Sequence, residues 1–250
     1  MGLTLAGTLT SWLRFARPSW WTYHWKHRNV ARFWWQYVKS RPWPDGYSSI
    51  DDLVTFSKHN KMLGFNHEHI RAYIFWRTHQ FLQCSSFVET GTLYGQTAGF
   101  VRRAFKTPVL TCEISNTYSL ISAVNLLWAS RVRRYHLSSP DFLKKVCHER
   151  LIGSHPMFFL DAHWYDYFPL ADELAIIGEH CENATIVIDD FFVPWEPGFR
   201  FDEYPSMRID LDVINNALHD RAAETTTYLP AYKPADEPYG KATGFAIVQL

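Results

Sequence analysis

The 250-residue chain balances 25 Lys and Arg against 25 Asp and Glu, and 47% of it is apolar. That excludes a disordered or polyionic protein, and its length suits one substantial core with an added segment. No apolar run reaches the roughly eighteen residues needed to cross a bilayer. The cysteines at 84, 112, 147 and 181 show no C-x-x-C spacing. They read as buried, reduced thiols of a cytoplasmic protein, not as a disulfide frame or a zinc site. The first residues lack the leading charge of a signal peptide, and Ala6 stands where a myristoylation signal needs Ser or Thr.

Residues 1–45 differ from the rest. They hold seven of the eleven tryptophans and seven Lys/Arg against one acid, Asp45, which leaves 18 bases and 24 acids to the remainder. Leu5, Leu9, Trp12, Leu13 and Ala16 recur at helical spacing, so this is a basic, Trp-rich helical arm. Its chemistry suits peripheral membrane or protein contact, including a second subunit; nucleic acid is disfavoured because no recognisable binding module accompanies the aromatics. Residues 46–85 form a helical lead-in after the turn-rich Arg41–Gly46. Ser49 caps a predicted helix over Ile50–Lys58. A second is predicted over His67–Leu82, with Ile70, Tyr73, Ile74, Trp76 and Phe81 as its apolar face.

Residues 86–250 alternate between strand and helix. Strand one, Phe87–Thr90, enters the glycine turn Gly91–Gly95, and a helix is predicted over 93–105. Strand two covers Val109–Glu113, with a helix near Tyr118–Ser130. Strand three covers Arg133–Leu137, and Ser138-Ser139-Pro140 caps a helix to Ile152. Strand four is Met157–Asp161, followed by a helix over Pro169–Cys181. Strand five is Thr185–Asp189. A helix near Met207–Asp220 precedes strands at Glu224–Leu229 and Gly244–Gln249. This pattern predicts an α/β fold, a Rossmann-like doubly wound sheet that binds ligands beyond the carboxyl ends of its strands. Glu89, Glu113, Asp161 and Asp189 all fall at that edge.

The glycine turn suits a nucleotide-like cofactor but lacks the full G-x-G-x-x-G fingerprint, which disfavours a nicotinamide-dependent dehydrogenase. Glu113, at the end of strand two, is placed to accept hydrogen bonds from two ribose hydroxyls. Ser138, Ser139 and Asp141 either read an adenine edge or cap a helix. Phe158-Phe159-Leu160-Asp161-Ala162-His163 and Ile186-Val187-Ile188-Asp189-Asp190 would bring three carboxylates together at adjacent strand ends. Such repulsion calls for a cation, and hard oxygen donors favour magnesium or another hard divalent ion. His163 has the ordinary pKa of a general base, though ligand and structural roles stay open.

These motifs, Val-Glu-Thr-Gly-Thr-Leu-Tyr-Gly, Glu113, Leu-Asp-Ala-His-Trp and Val-Ile-Asp-Asp-Phe, resemble class I S-adenosylmethionine-dependent methyltransferases. More narrowly, they resemble the metal-dependent O-methyltransferases of sugars and catechols. The resemblance covers residues 86–250 and implies a seven-stranded sheet whose last strand is antiparallel. It implies a cofactor site of Glu89, Thr90, Gly91, Gly95, Glu113, Ser138, Ser139 and Asp161, with Glu89 and Gly91 beside the methionine part. It also implies Mg2+ on Asp161, Asp189 and Asp190; His163 and Asp161 are the catalytic candidates read from the residues themselves. Tyr165, Asp166, Trp195 and Arg200 follow the metal strands and are candidates for the pocket of a small-molecule hydroxyl acceptor, a sugar or vicinal diol. The alternative is a non-catalytic protein of this fold that uses its arm to bind a membrane or a partner.

Overall fold

The computed structural model describes residues 64–127, 129–162, 167–204, 207–237 and 242–250. The expected arm over 1–45 and the helix over Ile50–Lys58 lie outside them. The elements, in order, are α1 (His69–Phe81), β1 (Ser86–Thr90), α2 (Gln96–Ala104), β2 (Val109–Cys112), α3 (Asn116–Asn125), β3 (Val132–Tyr135) and α4 (Ser139–His148). They continue with β4 (Pro156–Leu160), α5 (Leu170–His180), β5 (Thr185–Ile188), the two-residue strands β6 (Glu203–Tyr204) and β7 (Met207–Arg208), α6 (Leu211–Leu218), β8 (Thr226–Tyr228) and β9 (Ala246–Gln249).

Seven strands form one sheet in the order β3-β2-β1-β4-β5-β9-β8. The first five are parallel, and β9 runs antiparallel to both β5 and β8. The strand order reverses at β1, whose neighbours are β2 and β4. The crevice beyond the ends of β1 and β4 is therefore the topological switch point, where sheets of this kind bind ligands.

Side chains alternate across each strand and so build two cores. Val88, Leu110, Phe158, Leu160, Ile186 and Ile188 face α4, α5 and α6. Phe87, Val109, Met157, Phe159 and Val187 face α1 and α2. On that second face Phe65, Phe75, Phe87, Phe100 and Phe159 pack ring against ring, with Phe65 and Phe75 edge-on at 5.0 Å. The four cysteines are free thiols and buried. Among the described residues, no helix is long and apolar enough to cross a membrane.

Several expected boundaries move for identifiable reasons. The helix after the glycine turn starts at Gln96, because the Gly95 amide closes a tight turn onto Thr92 O (2.7 Å). Residues 207–208 pair as a strand, and α6 starts only after Asp210, whose side chain caps it through the Asp212 amide. The predicted apolar face of α1 is met in part: Tyr73, Ile74 and Trp76 pack against the second core. The buried side chains of α1 are His69, Arg71, Ala72, Phe75 and His79, while Phe81 is 84% exposed and Ile70, Tyr73, Ile74 and Trp76 are half-buried. The helix is turned so that a charged residue, Arg71, lies on its inner face.

Candidate active site

Strand parity sets the site. Glu89, Asp161 and Asp189 share the pleat face of Phe87, Phe159 and Val187, so all three point toward α1 and α2. The β4–β5 register pairs Leu160 with Ile188, which sets Asp161 beside Asp189 one step further on. The β1–β4 register pairs Thr90 with Leu160, which sets Gly91 beside Asp161. Gly91 has φ 86°, and a Cβ there would stand 2.7 Å from the Asp161 carbonyl oxygen. Glycine is therefore required both by conformation and by the neighbouring strand. Gly95, at φ 77°, is needed against Leu126, whose side chain lies 2.7 Å from the position of a Cβ.

Carboxylate oxygens of Asp161, Asp189 and Asp190 lie within 4.8 Å of one another. Asp189 is buried, and the other two are half-buried. Asp190 adopts φ 51° and donates its amide to Asp189 Oδ1 (2.9 Å). That left-handed turn brings two consecutive aspartates to one cluster, where an extended strand would separate them onto opposite faces.

Beneath the cluster lies a cation that motif reasoning missed. Arg71 of α1 is fully buried, and its Nη1 bonds Asp189 Oδ1. Its Nε stands 3.4 Å from Glu68 Oε2. Burial by itself would lower the guanidinium pKa, but Asp189 and Glu68 outweigh it and hold Arg71 charged. Glu68 accepts bonds from the Thr243 amide (3.0 Å) and hydroxyl (2.9 Å), yet burial pushes its carboxyl up to about 7. Glu237 accepts the His69 and Arg71 amides at 2.9 and 3.0 Å, so the segment before β9 caps the start of α1. The signal in the sequence was slight: Glu68 and Arg71 at i,i+3, with Arg71 four residues before the buried Phe75.

The glycine turn is internally bonded. The Gly91 and Thr92 amides both donate to Cys112 O (3.1 and 2.9 Å). The Leu93 and Ser115 amides donate to the two oxygens of Glu113, each at 2.8 Å. The amides of Gly91, Thr92, Leu93 and Gly95 are thus engaged by the protein itself. Glu113 stands between the two loops, and each of its oxygens keeps a second acceptor direction.

Glu89 is buried, 1% exposed. It accepts the Thr111 hydroxyl (2.5 Å) and the Ala98 amide in the first turn of α2. This is the capping bond that its N-cap, Gly95, cannot make. Burial is the main reason its carboxyl is pushed up to about 8, with Glu113 adding to it. Thr90 is buried and accepts the Asp161 amide (3.3 Å), tying the ends of β1 and β4. Ser138 is the N-cap of α4: it accepts the Asp141 amide (3.3 Å) and donates to Asp141 Oδ2 (2.6 Å). Ser139 is buried in the first turn of that helix. Trp195 is 63% exposed, with its indole N–H on Pro230 O (3.4 Å). Arg200 is exposed, and its backbone pairs with Ala242 and Gly244, next to the Thr243 that holds Glu68. His163, Tyr165 and Asp166 lie outside the described residues.

No protein-family model matches the chain, and no curated relative matches it in sequence. Solved structures do. An O-methyltransferase from Bacillus cereus, in complex with SAH, aligns over 86% of this chain and 96% of its own at TM-score 0.52 and 16% identity. The O-methyltransferase TomG from Streptomyces achromogenes, in complex with SAM, aligns over 82% and 91% at TM-score 0.50 and 14% identity. The chain has the class I methyltransferase fold. The methyltransferase sheet, with its last strand antiparallel, agrees with what the motifs imply. In this fold the glycine turn, Glu113 and the aspartate cluster lie at the carboxyl ends of the neighbouring strands β1, β2, β4 and β5.

Proposed function

We propose that the protein is an S-adenosylmethionine-dependent O-methyltransferase acting on a hydroxyl of a small molecule, with a divalent cation on Asp161, Asp189 and Asp190. The convergence of these three carboxylates beside the Gly91 turn carries the reading. The donor set fits the ion: three hard oxygens, close enough to share one centre. The charge fits as well, since the three aspartates outnumber the buried Arg71, which is itself shared with Glu68. Glu113 fits a ribose, because its acceptors face the crevice between two loops fixed by its own hydrogen bonds.

When bound, the cofactor supplies an activated sulfonium methyl, and the cation polarises the acceptor oxygen. The chain's residues do the rest. Glu113 holds the ribose hydroxyls, and Gly91 lets the cofactor approach the end of β1. Glu89 and Thr90 keep β1, α2 and β4 in register beneath it. Ser138 and Ser139 border the adenine end. Asp161 would help hold the cation and lies beside the Gly91 turn, so acceptor and methyl donor would be held next to each other; such alignment supplies much of the rate in a transfer of this kind. His163, two residues past Asp161, takes the acceptor's proton. Tyr165, Asp166, Trp195 and Arg200 line the acceptor pocket, and a pair of adjacent oxygens suits a sugar or vicinal diol.

Calorimetric titration with S-adenosylmethionine and, separately, with Mn2+ tests both parts. Asp190→Asn, at a half-exposed position, is expected to weaken Mn2+ binding at least tenfold and leave cofactor binding intact. A folded chain that gives no heat with the cofactor refutes the methyltransferase reading. Cofactor binding with turnover indifferent to chelator removes only the cation.

A further inference from the structure

Charge is unevenly distributed along the chain. Residues 100–137 hold six Lys/Arg, at 102, 103, 106, 131, 133 and 134, and one acid, Glu113. Residues 138–250 hold eight Lys/Arg against nineteen acids. The basic segment comprises most of α2, then β2, α3 and the edge strand β3. On β3 and the turn before it, Arg131, Arg133 and Arg134 are exposed.

The same flank carries an uncovered apolar stripe. Leu120, Val124 and Leu127 recur at i, i+4 and i+7 along α3 and its C-terminal turn, 59%, 61% and 81% exposed. Ile114, at 61%, extends the stripe toward the crevice. Side chains on α3 that do pack inward, Ser122 and Asn125, lie on the opposite side of the helix. Hydrogen bonds join stripe and charge: Arg134 Nη1 reaches Ser119 O (3.5 Å), His136 Nε2 meets Ile114 O (3.1 Å), and Arg102 Nε donates to Ser130 O. Arg134 thus stands beside α3, while Arg133, one step along β3, projects from the other face of this edge strand.

From this juxtaposition we infer that the α3–β3 flank docks on an anionic membrane surface. Aliphatic side chains enter the headgroup–acyl boundary while flanking arginines meet acidic headgroups. A single strand of nucleic acid would call for exposed stacking aromatics, and a duplex, met through its phosphates by basic side chains, makes no use of an aliphatic stripe. Among the described residues, the exposed large side chains on the stripe are Leu, Val and Ile. The opposite edge of the sheet, at β9 and β8, belongs to the acidic segment and would turn away from the lipid. The inference does not depend on the proposed chemistry.

Hydrogen exchange on the full chain, with vesicles of phosphatidylcholine alone or mixed with phosphatidylserine, tests it. Acidic vesicles are expected to slow exchange across 114–136 and to lose this effect at high salt. Two triple variants, Leu120→Gln/Val124→Gln/Leu127→Gln and Arg131→Gln/Arg133→Gln/Arg134→Gln, alter exposed side chains and should keep the fold. Each should abolish that protection; the arginine variant should weaken vesicle affinity through this flank on the order of a hundredfold. Vesicle binding that leaves 114–136 exchanging at its free rate, as contact through residues 1–45 alone would, overturns the assignment. So does protection that persists in both variants or needs no acidic lipid.

Discussion

Replacing Arg71 by Met removes the one charge of α1's inner face while keeping most of its length. In the folded chain Asp189 is 1% exposed and Glu68 fully buried, so neither carboxylate regains water. For the longer contact, 3.4 Å to Glu68, Coulomb's law at an effective dielectric of about 20 gives roughly 5 kcal/mol of gross attraction. Losing the guanidinium also removes its own desolvation cost, so the net loss is smaller than the sum of its pairs. Breaking a buried pair by removing one partner costs about 3–5 kcal/mol. At roughly 2–4 °C per kcal/mol for a domain of this size, Tm should fall by roughly 6–20 °C. Thermal unfolding followed by circular dichroism measures it. Two further results are required. Adding Asp189→Asn to Arg71→Met should recover part of the loss, because both partners of the pair are then gone. Mg2+ should raise Tm more in Arg71→Met than in the parent, because the cluster then lacks its internal cation. A loss under about 1 kcal/mol with no coupling to Asp189 would refute the idea that Arg71 neutralises the site.

Other perturbations follow from the same geometry. Burial raises Glu89 to about 8, so the folded chain keeps a proton that the unfolded chain releases near its ordinary value of 4.5. Its stabilising contribution is complete below that value and disappears as pH rises through 8. The stability of the parent relative to Glu89→Gln should therefore fall steadily over that window in denaturant titrations; a flat difference counts against a buried, protonated Glu89. Gly91→Ala places a methyl 2.7 Å from Asp161 O at φ 86°, and should cost at least about 1–2 kcal/mol along with cofactor affinity. Unchanged stability and calorimetry would contradict the close approach of β1 and β4. Ser138→Ala removes the cap of α4 and should cost about 1 kcal/mol in urea unfolding. A larger loss of cofactor affinity than of stability would assign Ser138 to the adenine end as well.

Local chemistry in the sequence was enough to read the sheet. Apolar runs of four or five residues, each followed by a helical period, marked β1, β2, β4 and β5 to within a residue, whereas β3, Val-Arg-Arg-Tyr at the sheet edge, was placed one to two residues late. Strand ends carrying Glu113, Asp161 and Asp189 announced where a ligand would bind, because parallel strands present their carboxyl ends at one edge. Three things depended on the tertiary structure. The convergence of Asp161, Asp189 and Asp190 needed the β4–β5 register and the left-handed turn at Asp190, neither of which residue types specify. The placement of Arg71 needed the rotation of α1, which is set by packing of Phe75 and Ala72 against the sheet and by Glu237 and Thr243 from a segment some 170 residues away. Glu89 stood in the motif as a cofactor contact; the structure shows its carboxylate buried on Thr111 and the start of α2. Spacing along a chain fixes which face a side chain joins, but only packing between distant segments fixes what it meets there.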